Sequence, residues 1–280
     1  MPGPYNATTM GTALRQRIDK ALAEVLTQIV ERCGGEARHE NGLLLVAGTH
    51  PCPLIVNSAL RTGSLGADDV IRRARIFFAD RMHHYELWTR DGVDADLRAA
   101  AQACGMRLAA ELCGMVLDST PALPPCGAGV KLREVCDARG VRAFATIVAE
   151  GFRDEAPDAE SLVHSVFADS RSLIAPDTRA FVAWLSGEPA AAAFTMVRAG
   201  IAWVGWVATR PDLRGRGLGS LVAAAATRAG LELGADLASL EATPLGTPVY
   251  ARLGFRETFR YRTYWPAAVV NTIGQHQARE

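Results

Sequence analysis

The chain has 280 residues, 49% of them hydrophobic and 21% charged, with 30 Lys and Arg against 30 Asp and Glu. This apolar fraction excludes general disorder, and the length predicts two domains or one large one. A net charge of zero argues against nucleic acid or a membrane surface as a partner, because both usually select a basic excess. The chain has no long apolar run that predicts a membrane span, and its first residues lack the pattern of a secretory signal. We therefore expect a cytoplasmic protein.

The cysteines and histidines do not predict a metal site. All six cysteines lie in the first half, at Cys33, Cys52, Cys104, Cys113, Cys126 and Cys136. No two are spaced C-x-x-C and none has a histidine at zinc-finger distance, so we expect reduced thiols and no metal. His83 and His84 are adjacent, and neighbouring residues of a strand point to opposite faces.

The first half alternates predicted helices and strands. Apolar residues at helical spacing predict a helix over 8–33, which Gly34 and Gly35 end. The later elements are strands at 43–47 and 54–59, a helix at 68–79, a strand at 85–89, a helix at 95–103 and a strand at 107–117. Residues 118–129 contain three prolines and two glycines, which predicts a linker.

The second half has a similar alternation. Its predicted elements are a strand at 130–135, helices at 141–151 and 159–167, strands at 180–185, 190–197 and 201–209, a helix at 218–233, a strand at 237–242, a short helix at 249–253 and a strand at 255–265. Strands that alternate with helices predict an α/β (α+β) fold with a mixed central sheet flanked by helices.

The two halves also resemble each other in pattern. A strand at 84–89, a helix and a Gly-led strand from Gly105 match the order of the strand at 237–242, a helix and the strand from Gly254. We interpret the chain as two tandem copies of one fold, with an N-terminal domain at 1–122 and a C-terminal domain at 130–268.

The segment 204–220 carries the most informative pattern. A β-like run ends at Thr209, and Arg214-Gly-Arg-Gly-Leu-Gly-Ser220 then opens an apolar helix. Glycines allow the backbone N–H groups to turn into one concavity, and a helix N-terminus favours an anion there. The pattern therefore predicts a diphosphate site. It contains no Lys for a P-loop, and Ser220 stands where a dinucleotide fingerprint needs its third glycine.

Two motifs together resemble the GNAT superfamily of acyl-CoA-dependent N-acetyltransferases. Arg214-x-x-Gly217-x-Gly219 fits the family loop [QR]-x-x-G-x-[GA], and Tyr250 begins a segment that fits the family's Y-x-x-L-G-F. The resemblance covers 130–265. It implies that residues of the strand end and the loop bind coenzyme A, namely Val207, Ala208, Thr209, Arg214, Gly215, Arg216, Gly217, Leu218, Gly219 and Ser220.

The resemblance implies a direct attack of an amine on the thioester. Tyr250 would protonate the leaving thiolate, or would instead only pack its short helix on the sheet. Glu241 ends the strand after the loop helix and is either the general base or a carboxylate that faces solvent. Glu150, Asp154 and Glu155 would bind a cationic acceptor rather than act in catalysis.

The sequence departs from the family pattern at Thr243, where many members have Asn. The corresponding loop of the first half places Asp68 and Asp69 at a helix start, which would repel phosphate, and Ala101 stands where a tyrosine is expected. We therefore expect a degenerate first copy without a coenzyme site.

The resemblance implies an N-acetyltransferase that moves an acetyl group from acetyl-CoA to a primary amine of a small molecule or peptide. The alternative is a non-catalytic acyl-CoA-binding regulator. A homodimer is compatible with the sequence, and neither a metal cofactor nor a nucleic-acid or membrane partner is expected.

Overall fold

A computed structural model describes residues 11–153, 158–267 and 269. The helices are α1 (Thr12–Arg32), α2 (Ala67–Ala79), α3 (Ala95–Ala103), α4 (Ala138–Gly151), α5 (Ala159–Val166), α6 (Leu218–Glu232) and α7 (Thr247–Arg252). The strands are β1 (Glu36–Glu40), β2 (Leu43–Ala47), β3 (Asn57–Arg61), β4 (Glu86–Arg90), β5 (Met106–Leu117), β6 (Val130–Glu134), β7 (Thr178–Leu185), β8 (Glu188–Arg198), β9 (Ile201–Thr209), β10 (Leu237–Ala242) and β11 (Arg256–Pro266).

Most predicted elements are confirmed to within a few residues, with two differences. The predicted strand at 54–59 begins only at Asn57, because Leu54 and Ile55 have φ angles of 122° and 54° that no strand adopts. Strand β1 was missed because its residues are charged or polar apart from one alanine, and it lies at the sheet edge with no buried face.

All eleven strands form one sheet in the order β1-β2-β3-β4-β11-β5-β10-β9-β8-β7-β6. The last strand of each half therefore lies in the middle of the sheet, where β11 pairs with β4 and β5 pairs with β10. The two strands also pair with each other, antiparallel, from Arg256 to Pro266. The halves thus share one sheet, although the segment between Asp118 and Gly129 contains neither helix nor strand. A division at 1–122 and 130–268 stays a prediction about folding units.

The element order of the two halves corresponds along the whole repeat. Three strands, a helix, a strand, a helix and a strand follow one another as β1, β2, β3, α2, β4, α3, β5 and again as β7, β8, β9, α6, β10, α7, β11. In each half the third and fourth of these strands are parallel, while the first three pair antiparallel. The structure thus extends the repetition of pattern that the sequence indicates.

The sheet is covered on both faces. Helices α1, α4 and α5 pack on one face, and α6 packs on the other. The side chains of β10 can be assigned to the two faces. Leu237 belongs to the apolar cluster that includes α1, while Ala238, Leu240 and Ala242 belong to the cluster that includes α6. Side chains alternate along a strand, so Glu241 faces the α1 side.

Two further expectations concern cysteines and membranes. All six cysteines lie in the described ranges, and no disulfide joins any two of them. None of the helices within those ranges is long and apolar enough to cross a bilayer.

Candidate active site

The parallel strands β9 and β10 pair only at their beginnings. The ladder joins Leu237 to Ile201, Ala238 to Ala202 and Ser239 to Trp203, and it ends there. Strand β9 continues to Thr209 and β10 to Ala242, so the two strands diverge. On its other edge β9 still pairs with β8 up to Thr209. The edge of β9 that faces the opening therefore has no ladder from residue 204 onward, and its backbone groups can pair with a ligand.

A bulge changes the direction of β9 inside this opening. The register with β8 shifts between Ala192 and Phe194, and Trp206 has a φ of 50°. The Trp206 ring packs 5.6 Å from Phe152 and 5.4 Å from Phe167 between ring centroids. Its indole nitrogen is buried and has no hydrogen-bond partner in the described part of the chain. Trp206 thus forms an aromatic cluster with Phe152 and Phe167 next to the diverging part of β9, and its buried donor is unused among the described residues.

The loop that follows β9 has the conformation its glycines allow. Gly215 and Gly217 have φ angles of 79° and 77°, the left-handed region that disfavours other residues, and Gly217 is the N-cap of α6. Residues 215–217 donate no hydrogen bond to another backbone group of the described chain. The first N–H groups of α6 also lack helical partners. A row of unpaired N–H groups at a helix N-terminus suits an anion. We call residues 214–220 the glycine loop.

The arginines of this region differ in their availability. Arg210 bonds the carboxylate of Asp212 at 3.1 and 2.9 Å and lies 3.7 Å from Glu150. Arg214 reaches the carbonyl of Gly151 at 3.4 Å, and both Arg214 and Arg216 are exposed. The positive charge left for a phosphate therefore comes mainly from Arg214 and Arg216.

Glu241 has the environment of a base. Its Oε2 accepts a hydrogen bond of 2.7 Å from the indole N–H of Trp203, while Oε1 is buried with no partner among the described residues. Burial raises the pKa of Glu241 to about 7, and the negative charge of Asp19 acts in the same direction. A carboxyl with a pKa near neutrality can accept a proton at physiological pH.

Tyr250 approaches from the opposite face of the sheet. It lies on α7, packs in the α6 cluster and has its ring centroid 6.0 Å from that of Phe255. Helix α7 begins after a turn in which the Thr243 hydroxyl accepts a hydrogen bond of 3.3 Å from the N–H of Gly246. Thr243 thus stabilises the start of the helix that carries the tyrosine. Glu241 and Tyr250 lie on opposite sides of β10, next to its diverging end.

Two residues of β11 that sequence reasoning missed stand beside Glu241. Gly114 of β5 pairs with both Glu241 and Phe259. The Phe259 ring lies over Gly114, where a Cβ atom would come within 2.0 Å of it. Tyr261 packs edge-to-face on Phe259 at 5.2 Å. No sequence signal indicates this contact, because it depends on the strand order. The last strand of each half lies next to the fourth strand of the other half, β11 beside β4 and β5 beside β10.

The predicted acceptor-binding acids are only partly visible. Glu150 lies on the last turn of α4, 3.7 Å from Arg210, which precedes the glycine loop in the sequence. Asp154 and Glu155 lie outside the described residues. Within residues 11–153, 158–267 and 269, no group of three or more His, Cys, Asp or Glu side chains could hold a metal ion.

In the first half, the side chain of Arg61 fills the region between the ends of β3 and β4 and the loop before α2. Strands β3 and β4 pair from Ser58–Glu86 to Leu60–Trp88 and end one or two residues later. The guanidinium of Arg61 bonds Asp94 at 2.6 Å and Asp96 at 2.8 Å. The same side chain donates to the carbonyl of Leu65 in the loop before α2.

The comparisons with known proteins agree with this geometry. Residues 142–255, which include β9, the glycine loop, β10 and α7, match the acetyltransferase (GNAT) family. These residues form a GNAT domain. The chain therefore carries an acyltransferase domain.

Solved structures show the same fold over most of the chain. A GCN5-related N-acetyltransferase from Kribbella flavida has a TM-score of 0.71 at 20% identity, over 92% of this chain and 97% of that one. A GCN5-related N-acetyltransferase from Sphaerobacter thermophilus has a TM-score of 0.58 at 18% identity, over 89% and 92% of the two chains. A tandem GNAT protein from the clavulanic acid biosynthesis pathway has a TM-score of 0.57 at 16% identity, over 94% and 96%. No curated protein is similar enough in sequence to count as a relative.

Proposed function

We propose that the protein is an N-acetyltransferase that moves the acetyl group of acetyl-CoA to a primary amine, using one coenzyme site in its GNAT domain. The observation that carries the proposal is the opening between β9 and β10 beside the unpaired N–H groups of the glycine loop. The pantetheine arm would pair with the free edge of β9 at Val207–Thr209. The pyrophosphate would lie on residues 214–220, where the helix N-terminus favours negative charge.

The chemistry would use groups on both faces of β10. Oε1 of Glu241 would take a proton from the ammonium group of the acceptor, and the neutral amine would attack the thioester carbonyl. Backbone N–H groups of the bulged β9 would stabilise the oxyanion. Collapse of the intermediate breaks the C–S bond, and Tyr250 would protonate the departing thiolate. The second proton lost by the attacking nitrogen would return to Tyr250 through solvent, and Glu241 would release its proton to solvent. The amide and free coenzyme A are then the products.

The face around Glu241 favours a cationic acceptor. The Trp203 indole donates to the carboxylate, and the Phe259 ring lies over Gly114, the register partner of Glu241. A protonated amine is attracted by both a carboxylate and aromatic faces. Trp206 adds an unpaired donor on the same stretch of β9, which could bond an oxygen of either substrate.

We also propose that the first half binds no coenzyme. Its loop before α2 is occupied by the Arg61 ion pairs, and Asp68 and Asp69 lie in the first turn of α2. Gly63 of that loop packs so closely on Gly42 that a Cβ atom would come within 2.8 Å of the Gly42 Cα. Neither the space nor the charge suits a diphosphate.

Two measurements test the proposal. Calorimetry with coenzyme A should give one site per chain, and two equivalent sites would contradict the closed first half. Steady-state release of the free thiol over a panel of small and peptide amines should reveal turnover that depends on the amine. Tight binding of acetyl-CoA without turnover on any amine would favour the alternative, a non-catalytic acyl-CoA-binding regulator.

A further inference from the structure

A chain of alternating charges crosses the first half towards the GNAT domain. Asp94, which is fully buried, accepts hydrogen bonds from Arg61 and Arg90, the latter at 2.7 Å. Arg90 also donates to Oδ2 of Asp19 on α1 at 3.1 Å. Arg61 and Arg90 each bond two carboxylates. Asp19 is the member of this ion-pair series that lies furthest from the loop before α2.

Asp19 connects this series of ion pairs to Tyr261 and Phe259 of β11, next to the candidate active site. Its Oδ1 accepts a hydrogen bond of 2.6 Å from the Tyr261 hydroxyl. Tyr261 packs on Phe259, whose ring fills the space over Gly114 next to Glu241. A residue of the N-terminal helix thus bonds a side chain of β11 next to the ring that lies over Gly114, the register partner of Glu241.

The two halves place opposite charges at corresponding positions. The parallel ladder of the first half ends at Trp88 of β4, and that of the second half ends at Ser239 of β10. Arg90 and Glu241 each follow two residues later. Arg90 of β4 thus stands at the position that Glu241 has in β10, and it bonds both Asp94 and Asp19. Asp19 is therefore held by the counterpart of Glu241 in the first half.

We propose that Asp19 is a positioning residue for Glu241: held between Arg90 and Tyr261, its carboxylate strengthens Glu241 as a base. The first half would then complete the active site of the second half. This inference rests on the proposed function only for the role of Glu241 in the reaction, because the electrostatic effect exists without substrate.

The groups around Asp19 and Glu241 carry charges of both signs, and the pKa of Glu241 is raised overall. Asp19 on α1 accepts the hydrogen bond of the Tyr261 hydroxyl on β11, and Trp203 on β9 donates to Glu241. The Arg90 charge is already shared between Asp94 and Asp19. Arg15 lies one turn before Asp19 on α1, and two of its guanidinium nitrogens are buried without hydrogen-bond partners among the described residues. Burial and the Asp19 charge both raise the pKa of Glu241.

The test is the titration of the Glu241 carboxyl in the substrate-free full chain, followed by carbon-13 NMR. The resonance is assigned by its loss in Glu241→Gln. The wild-type midpoint should lie near 7, and Asp19→Asn should lower it by about one pH unit, because a nearby like charge is removed. Asp19→Glu keeps the charge and should restore most of the shift. The matched control is Asp236→Asn, which also removes a carboxylate partnered by α1, through Arg17, but an exposed one.

A second variant separates electrostatics from a general loosening of the fold. Tyr261→Phe keeps the ring but removes the donor that shields Asp19, so the Glu241 midpoint should rise. Shifts of opposite sign in Asp19→Asn and Tyr261→Phe support the inference, and it can still be tested by Tyr261→Phe if Asp19→Asn does not fold. An unchanged midpoint in either folded variant overturns it. Absence of acyl transfer together with an Asp19-dependent titration would overturn the proposed function instead.

Discussion

The indole N–H of Trp203 donates a hydrogen bond of 2.7 Å to Oε2 of Glu241, 38 residues away in the sequence. Trp203 is the last residue of β9 that pairs with β10, and Glu241 lies just beyond the end of that ladder. The bond therefore connects the two strands where they begin to diverge. It also leaves Oε1 as the oxygen that can receive a proton.

Gly205→Ala should disrupt this contact. The Trp203 ring lies over Gly205, and a Cβ atom there would come within 2.1 Å of the ring. We expect the indole to move, the hydrogen bond to be lost and the single-turnover rate to fall by about tenfold, in proportion to the loss of a hydrogen bond to a charged group. Gly66→Ala is the matched control, because nothing lies within 4 Å of its Cβ position. A Gly205→Ala enzyme as fast as the control would show that the Trp203 contact is dispensable.

Glu241→Gln should change both the pH–rate profile and the pH dependence of stability. The wild-type rate should rise with pH through about 7, as the base loses its proton, and the variant should lack this limb. The folded pKa exceeds the ordinary value of 4.5, so this group favours the folded state below pH 4.5 and the advantage is lost as the pH rises through 7.

The stability effect can be measured by urea unfolding of both proteins at pH 5 and pH 8. The glutamine variant should gain about 1–3 kcal/mol relative to the wild type between these two pH values. Glu86, whose pKa burial also raises, contributes equally to both proteins and cancels. An identical pH dependence of the two unfolding free energies would show that Glu241 is solvated and unsuited to act as a base.

Tyr250→Phe should lower the single-turnover rate by about 10²-fold, the effect typical of a lost general acid, while coenzyme affinity changes little. The ring and its packing on Phe255 are retained. Tyr85→Phe is the control, since that hydroxyl is buried in the first half near the sulfur of Met106. A rate within two- or threefold of the wild type would remove Tyr250 from the mechanism.

Gly217→Val should abolish coenzyme A binding without unfolding the protein. Valine is strained at a φ of 77°, so the N-cap of α6 must rearrange and its N–H groups lose their common direction. Gly187→Val carries a similar strain at a φ of 96° in the turn between β7 and β8, and it should leave binding intact. Calorimetry measures the affinity of both folded variants for coenzyme A. Binding to Gly217→Val at wild-type affinity would show that the pyrophosphate does not bind at the glycine loop.

The second half should not fold alone. A fragment that begins at residue 130 lacks β5, the strand that pairs with both β10 and β11. We expect it to be insoluble or unfolded by circular dichroism. A protease site inserted between Cys126 and Gly127, both exposed, should by contrast give two fragments that stay associated after cleavage. A cooperative, folded fragment 130–280 would show that the halves are independent units.

The sequence by itself determined most of the local structure and the position of the glycine loop between a strand and a helix. Apolar spacing and turn residues gave nearly every helix and strand, because those signals act over a few residues. The strand from Ile201 to Thr209 and the helix from Leu218 could thus be predicted, as could the positive-φ glycines between them. The GNAT resemblance followed from two short motifs that each lie within one local segment.

The tertiary structure decided how the halves are joined and what surrounds Glu241. The exchange of β5 and β11 in the sheet order cannot be read from periodicity, because either order buries the same faces of the same strands. That exchange places Phe259 and Tyr261 beside Glu241 and brings Asp19 of the N-terminal helix to Tyr261. The proton affinity of Glu241 depends on burial and on a charge more than 200 residues away in sequence, and only the folded chain brings these together.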